Sequence, residues 1–270
     1  MTTRRSTSIR AAVVVTAVLT ASIAAVTACS DNAAPVAAPK AQYGAPVVFG
    51  QGSARTFVTL DNTGAPASVG LTLSESALAN LPVTPMPGMP SALMVNLPMP
   101  AAAQATGIDH ATVDWNPQGH DPVKVYGVPH FDFHFYMISP SAQAAISPAD
   151  PQFNQKLANQ PGAQFRPTDY IQSPGGVPMM GAHWVDPTGP EFNGQPFQSS
   201  FIYGSYDGQF IFIESMIAKS YLESHPNVSA QVKQASAVNI PGYYPATSTI
   251  AYDAAAKEYR ITFADLRRRP

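Results

Sequence analysis

The clearest alternation of polar and apolar residues in the chain lies at residues 130–136, in the segment HFDFHFY. Successive side chains of an extended strand point to opposite faces, so the three phenylalanines share one face and the polar residues share the other. A row of phenylalanines requires a hydrophobic core. The opposite row must therefore face a cavity, a groove or solvent. It consists of His130, Asp132, His134 and Tyr136.

Other short runs predict further β-strands joined by turns. Asp207-Gly208 is typical of the turn of a hairpin, whereas residues 216–235 are predicted to be helical with a break at His225-Pro226. The chain contains 27 prolines and 18 glycines, which favour short strands and loops over long helices. We therefore predict one mainly-β domain over residues 46–270, a sandwich or a barrel (cupin-like at most) with a few short helices. Strands are expected at residues 56–60, 69–73, 91–97, 111–115, 199–203, 209–215, 248–252 and 258–263.

The N-terminal residues have a different pattern. A basic start precedes an apolar stretch that ends in Val26-Thr27-Ala28-Cys29. This is typical of a signal peptide followed by a bacterial lipobox, so we predict that residues 1–28 are removed and that Cys29 is lipidated. Residues 29–45 would then be the lipidated cysteine and a flexible tether. The predicted location is the extracytoplasmic face of the cell membrane. The alternatives are an ordinary signal peptide with a chance cysteine, or a single membrane helix.

Composition and charge narrow the classes of function. Cys29 is the only cysteine, so an exported chain would have no internal disulfide and would depend on packing, helped by a metal. Residues 1–28 contain three of the 15 basic residues and none of the 17 acidic ones, which leaves the remainder acidic. We expect no nucleic-acid binding, because residues 267–269 form only a short basic tail. A homo-oligomer is compatible with the sequence.

The histidines around the central strand predict a metal site. Neutral imidazole is the commonest zinc ligand and also suits copper and iron. An acid within the otherwise apolar run QFIFIE should be paired, coordinated or protonated. The expected cofactor is a divalent metal ion, with zinc as the first candidate and copper or iron after it. The candidate ligands are His120, His130, Asp132, His134, His183 and Glu214.

Strand geometry limits which candidates can share an ion. Positions i and i+4 of a flat strand are roughly 13 Å apart, and positions i and i+2 are roughly 7 Å apart. Asp132 is therefore an easier partner for His130 or His134 than these histidines are for each other, unless the strand is strongly curved. This spacing departs from the His-x-His pair of a typical cupin. The alternative for the whole row is a hydrogen-bonded polar network.

Other chemistries fit the sequence less well. Thioethers suit Cu(I), but the prolines of residues 82–100 break up any regular ligand face, which favours methionines that fill gaps in a core. The chain has no G-x-S-x-G elbow, and assignment of Cys29 to a lipid argues against thiol catalysis. The methionines in question are Met86, Met89, Met94 and Met99.

Three segments resemble a little-characterised bacterial domain family of unknown function: WNPQGHDP…YGVPHFDFHFYM, MGAHWVD and YDGQFIFIESMI. Members carry a P-H-F-D-x-H-F-Y core, a downstream G-x-H-W and an aromatic D-G strand that ends in Glu. The resemblance spans roughly residues 50–266. It implies an assembled β protein in which the six candidate ligands form one site, and it implies no substrate or mechanism.

The sequence thus predicts a membrane-anchored envelope lipoprotein with a histidine-rich metal site. Two alternatives stay open. One is an enzyme that uses the metal, with a water at an open coordination position and Asp132 or Glu214 as general base. The other is a metal-free module that binds a small ligand or a protein in an aromatic groove. That groove would be formed by Trp115, Tyr126, Tyr136 and Trp184.

Overall fold

The computed structural model of the protein describes residues 40–270, together with Thr2. The predicted signal peptide, the lipidation of Cys29 and the tether as far as residue 39 lie outside the described residues. Within residues 40–270, no helix has the length and apolar character needed to cross a lipid bilayer.

The described chain is mainly β, with a few short helices, as the sequence predicted. The strands are β1 (Ala41–Tyr43), β2 (Val47–Phe49), β3 (Gly52–Leu60), β4 (Pro66–Ser74), β5 (Leu93–Pro98), β6 (His110–Asn116), β7 (His130–Tyr136), β8 (Ile171–Gln172), β9 (Ala182–Val185), β10 (Ser199–Tyr206), β11 (Gln209–Ala218), β12 (Asn227–Gln231), β13 (Gly242–Tyr244), β14 (Thr247–Asp253), β15 (Glu258–Ala264) and β16 (Arg267–Arg269). The α-helices are α1 (Val123–Tyr126), α2 (Pro140–Ala144), α3 (Phe153–Ala158) and α4 (Lys219–Glu223). The 3₁₀ helices are Glu75–Leu78, Ala101–Thr106, Ala163–Phe165 and Pro190–Asn193.

Two antiparallel sheets form a sandwich. In the first sheet the strand order is β1-β3-β4-β15-β14-β12, and β2 also pairs with β3. In the second sheet the order is β5-β6-β7-β11-β10-β9-β8. Strands β13 and β16 form a separate ribbon. Neither sheet closes into a barrel within residues 40–270. Of the two predicted architectures, the chain therefore adopts the sandwich.

The main core lies between the two sheets, and the phenylalanine row of β7 belongs to it. Phe131, Phe133 and Phe135 are fully buried. The ring of Phe135 lies 4.8 Å from that of Phe263 on β15, in an edge-to-face contact between the sheets. Full burial of such a side chain contributes roughly 1.5–3 kcal/mol. The core face of β7 is therefore the one that its alternation predicted.

The turn between β10 and β11 confirms the predicted hairpin. Asp207 and Gly208 both have positive φ, at 48° and 82°. These values are typical of a type I′ turn, whose twist matches that of the flanking strands. The two strands pair from Ser199 opposite Ile217 to Tyr206 opposite Gln209.

The prediction of a helix over residues 216–235 was wrong. Strand β11 extends to Ala218, only Lys219–Glu223 is helical, and Asn227–Gln231 is strand β12. The end of β11 pairs with β7 on one side and β10 on the other, so sheet hydrogen bonds outweigh the local helical pattern. Strand β12 pairs with β14 beyond the break at Pro226.

Candidate metal centre

The polar face of the second sheet lies opposite the main core and is also buried. Strand register places His134 of β7 between Thr112 of β6 and Glu214 of β11. It places Asp132 opposite Asp114 of β6. Two small apolar clusters pack over this face, one around Tyr126 and Phe197 and the other around Ile146 and Met180. Loops and short helices therefore shield these charged side chains from solvent.

The six predicted ligands lie on this face as two triads. Within each triad, one ligand atom of every residue lies within 4.8 Å of the others. The first triad, called triad A here, contains His120, His130 and Asp132; the second, called triad B, contains His134, His183 and Glu214. Each triad offers two imidazoles and one carboxylate. The resemblance implied one site, whereas the structure places the residues in two adjacent groups.

In triad A, two histidine nitrogens face one carboxylate. His120 Nε2 lies 3.6 Å from Asp132 Oδ2, and His130 Nε2 lies 3.2 Å from Asp132 Oδ1. The Nδ1–H groups of both histidines donate to backbone carbonyls, of Asp121 at 2.8 Å and of Val128 at 2.7 Å. A carbonyl oxygen can only accept, so the proton is assigned to Nδ1. In the neutral ring, Nε2 then presents a lone pair to the carboxylate, as a metal ligand does.

Triad B is supported by a second carboxylate. His134 Nε2 lies 3.4 Å from Glu214 Oε2, and His183 Nε2 lies 3.8 Å from the same oxygen. On the far side of the ring, His134 Nδ1 lies 2.9 Å from Asp114 Oδ2 and 3.2 Å from the hydroxyl of Thr112. Metal-binding histidines usually donate their second N–H to a carboxylate in this way, which fixes the tautomer and the ring orientation.

Four distances between facing nitrogen and oxygen atoms are near the ligand spacing of a tetrahedral metal site. Ligands 2.0–2.1 Å from a tetrahedral zinc ion are about 3.3 Å from one another. The four distances between facing nitrogen and oxygen atoms run from 3.2 to 3.8 Å. These nitrogen–oxygen distances are within about 0.5 Å of that spacing, and the ligand atoms of each triad all lie within 4.8 Å of one another.

Four of the facing atoms lack hydrogen bonds. Within residues 40–270, no hydrogen-bond partner is present for His130 Nε2, Asp132 Oδ1, His134 Nε2 or Glu214 Oε2, although all four are buried. These atoms are close to one another but are not aligned as N–H···O bonds. A buried polar group without a partner costs about 1–3 kcal/mol. One bound cation in each triad would satisfy the two unpaired atoms of that triad.

Burial and neighbouring charges shift the protonation of triad B. Burial raises the pKa of Glu214 to about 8, although the nearby imidazole of His134 opposes this shift. Burial disfavours the cationic form of His134, but Glu214 and Asp114 outweigh burial and raise the pKa of His134 to about 9. The folded protein therefore holds protons here at neutral pH, and a metal ion would have to displace them.

The two histidines nearest the solvent, His120 and His183, have pKa shifts in opposite directions. Burial disfavours a charge on His120, but Asp132 outweighs burial and raises the pKa of His120 to about 9. Burial, helped by repulsion from His134 and His120, lowers the pKa of His183 to about 3. His183 is therefore a neutral ligand across the physiological range.

Two glycines allow the site to form. Gly119, with φ of +68°, precedes His120, and a Cβ at this position would lie 2.0 Å from the carbonyl oxygen of Tyr126. Gly204 lies beside His183 in the β9–β10 pairing. A Cβ on Gly204 would lie 1.9 Å from the ring of Phe212, and that ring contacts His183 edge-on at 5.4 Å. Both histidines thus depend on backbone positions without a side chain.

A cavity of about 350 Å³ opens beside the triads. His120 and Asp132 of triad A and His183 of triad B line it, whereas the more deeply buried ligands lie behind them. Each triad therefore has one side that faces the same cavity.

Residues 61–115 match the model of a family described as TTHB210-like: Hypothetical protein TTHB210. This stretch is about a fifth of the chain and runs from the turn after β3 into β6. It supports a likeness to an uncharacterised domain family. The P-H-F-D-x-H-F-Y core lies beyond the matched residues, so its value as a family motif stays a prediction. No curated protein and no solved structure matches the chain.

Asp114 was not predicted as a site residue. The segment HATVDWN of β6 alternates as HFDFHFY does: Ala111, Val113 and Trp115 belong to the main core. Its polar row faces the triads, and Asn116 donates to Asp132 Oδ2 at 2.7 Å. The alternation in β6 was the signal that could have identified Asp114.

The two remaining histidines, His110 and His225, lie outside the triads. His110 Nε2 lies 2.9 Å from Gln143 Oε1, and its ring stacks on Tyr136 at 5.0 Å. His225 stacks on Tyr252 at 3.7 Å and lies 3.5 Å from Glu75. Both contacts are structural.

The predicted aromatic groove does not form, so that expectation was wrong. Trp115 and Trp184 are buried in the main core, where their indole N–H groups donate to Pro82 O and Ser205 Oγ. Tyr126 lines the cavity, whereas Tyr136 is fully buried and is not among the residues that line it. The faces of β6 and β9 direct both tryptophans away from the site.

Two of the four methionines in residues 82–100 pack against hydrophobic clusters. Met89 packs against the small cluster around Ile146, and Met99 packs against the main core. These contacts favour the gap-filling interpretation for both residues over a Cu(I) site.

Proposed function

We propose that this protein binds divalent metal ions at triads A and B, one ion in each. The observation that carries the proposal is the set of buried nitrogen and oxygen atoms that face each other without hydrogen bonds. Hydrogen bonds on the other side of the rings of His120, His130 and His134 support it, because they leave Nε2 as the free ligand atom.

Zinc is the proposed ion, with copper and iron as alternatives. Two imidazoles and one carboxylate are a known ligand set for catalytic zinc and for non-haem iron(II). The nitrogen–oxygen distances of 3.2 Å in triad A and 3.4 Å in triad B are near the ligand spacing around tetrahedral zinc, which supports zinc as the proposed ion.

The experiment is elemental analysis of the protein purified without a histidine tag, after separate incubations with zinc, copper, iron, manganese and nickel and removal of the excess. We expect two zinc ions per chain in the unmodified protein and one in either His130→Ala or His134→Ala. His225→Ala, a matched substitution outside the triads, should keep both. Absence of bound zinc, copper, iron, manganese and nickel would overturn the proposal and favour a polar network.

We also propose that the protein is a lipid-anchored envelope protein on the extracytoplasmic face of the membrane. The support is the basic start, the apolar stretch and the position of Cys29 in the sequence. Mass spectrometry of the protein from membranes should find a lipid on Cys29 as the new N-terminus. Recovery of Cys29→Ser with an uncleaved leader would agree with this proposal, whereas an unmodified Cys29 in the native protein would contradict it.

A metal-dependent enzyme is the second candidate function. The observation in its favour is that each triad supplies three protein ligands and borders the cavity, since catalytic zinc sites keep a fourth position for water or substrate.

A further inference from the structure

The cavity beside the triads has the dimensions of a small-molecule site. Its volume of about 350 Å³ is at the lower end of the usual range of roughly 300–1,000 Å³. Its walls include the apolar side chains of Tyr126, Val185, Ile202 and Met216. A ligand that fits must be compact and must tolerate apolar surroundings in its middle part.

The open coordination positions of both ions would face this cavity. Zinc takes four ligands, and each triad provides three. In triad A, His130 is fully buried while the side chain of His120 is 25% exposed. In triad B, His134 and Glu214 are buried while the side chain of His183 is 18% exposed. The fourth ligand of each ion can approach only from the exposed side.

The two ions would be neighbours without sharing one bridging oxygen. Asp132 and His134 are two positions apart on β7, a spacing of roughly 7 Å. Metal pairs that share one oxygen lie about 3.5–4 Å apart. A ligand that bound both ions here would therefore need two separate oxygen groups.

The charge of the site favours some ligands with two oxygen groups over others. The four charges of two divalent ions would be balanced by the carboxylates of Asp132, Glu214 and Asp114 and by Asp121, which also lines the cavity, so a ligand with few negative charges is favoured. No lysine or arginine of residues 40–270 lines the cavity, although phosphate sites commonly use them. A dicarboxylate with a short hydrocarbon spacer suits this charge and these walls better than a polyphosphate does.

We propose that the cavity binds a short dicarboxylate, one carboxylate on the ion of triad A and the other on the ion of triad B. This inference rests on the proposed metal binding. Beyond metal binding, it states which class of ligand the cavity takes and that both ions bind the same ligand.

Calorimetric titration of the zinc-loaded full chain tests it, with malonate, acetate and pyrophosphate as ligands. Zinc content is measured before and after each titration. We expect one malonate per chain, bound at least about tenfold more tightly than acetate or pyrophosphate. His120→Ala and His183→Ala, each retaining one zinc ion, should both lose the preference for malonate over acetate. His225→Ala should keep it.

The outcomes separate the two proposals. Failure to bind zinc would overturn both. Two bound zinc ions with equal affinity for malonate and acetate would overturn the dicarboxylate and leave metal binding intact. Tighter binding of pyrophosphate would also overturn the dicarboxylate, and a malonate preference that survives both single-triad variants would overturn its bridging position.

Discussion

The two faces of β7 are buried to a similar extent but by different means. Phe133 lies between two sheets, where the surrounding side chains are apolar. Asp132 and His134 lie on the opposite face, under loops and short helices, with carboxylates of neighbouring strands close by. The first face stabilises the fold through packing alone. The second holds buried charges and unpaired atoms, so its contribution to stability depends on protons and on bound ions.

The largest effect should come from the apolar face. Phe133→Ala would leave a cavity between the sheets and should lower the free energy of unfolding by about 3–5 kcal/mol. Because no metal ligand is removed, the loss should be similar with zinc and with chelator. Denaturant titration measures it, and Phe192→Ala, a half-buried control, should lose less. A loss seen only with zinc would contradict the separation of the two faces.

An isosteric substitution on the polar face should have the opposite pattern: little effect on stability without zinc and a clear loss with zinc. Glu214→Gln replaces a buried carboxyl that is mostly protonated at neutral pH, because burial raises its pKa to about 8, and whose Oε2 lacks a hydrogen bond. The metal-free protein should therefore keep its stability at neutral pH to within about 1 kcal/mol. Zinc at 100 times its dissociation constant stabilises a protein by about 2.7 kcal/mol per site. The variant should lose this gain at triad B and keep it at triad A. Thermal unfolding with and without zinc checks both. If zinc stabilised the variant as much as the unmodified protein, Glu214 would not be a ligand.

Asp114 should have a smaller effect on the same face, because it would act through His134. Asp114→Asn should weaken zinc binding at triad B by about 10–100-fold, since carboxylates that orient metal-bound histidines have effects of this size. Triad A should be unchanged. Competition with a fluorescent chelator measures both affinities, and Asp169→Asn on the surface is the control. Equal weakening of both triads would indicate a general structural defect.

The sequence predicted the two faces of β7 well because alternation within one strand is a local property. It also predicted the β10–β11 hairpin, since Asp207-Gly208 has the conformation that its turn requires. It failed after Met216, where a helical pattern was overruled by pairing of β11 with strands far away in the chain. Local patterns thus identified elements whose partners lie nearby, and they misjudged a segment whose conformation depends on distant pairing.

The candidate site follows the same rule. The pairing of Asp132 with His130 rather than a His130–His134 pair agrees with strand spacing. The partners of His134 come from three other strands, β6, β9 and β11, and their approach depends on sheet register. Register is set by the assembled sheet, so no spacing along the chain could show that Asp114 lies beside His134 or that the ligands divide into two triads.

The smallest expected effect is a difference in pH dependence between the metal-free and zinc-bound forms. In the folded metal-free protein, Glu214 and His134 keep their protons up to pKa values of about 8 and 9, above their ordinary values of 4.5 and 6.5. The folded state therefore binds more protons than the unfolded state between about pH 6.5 and 9, and the free energy of unfolding should fall as pH rises through this window. The pKa of His183 is lowered to about 3, so this residue changes the difference in bound protons only below its ordinary pKa of 6.5. It therefore does not offset the fall in stability above pH 6.5.

Zinc should reverse that trend, because it replaces the protons and binds more tightly as they become easier to remove. The midpoint of thermal unfolding, measured from pH 6.5 to 9 with chelator or with zinc, should therefore give two curves that diverge as pH rises. Glu214→Gln should make the metal-free curve less steep, because His120 and His134 still lose protons across the window, and Phe133→Ala should shift both curves down without changing their slopes. A metal-free protein that became more stable across this window would show that the polar face holds no such protons. In that case the two faces of β7 would differ in composition but not in how they stabilise the fold.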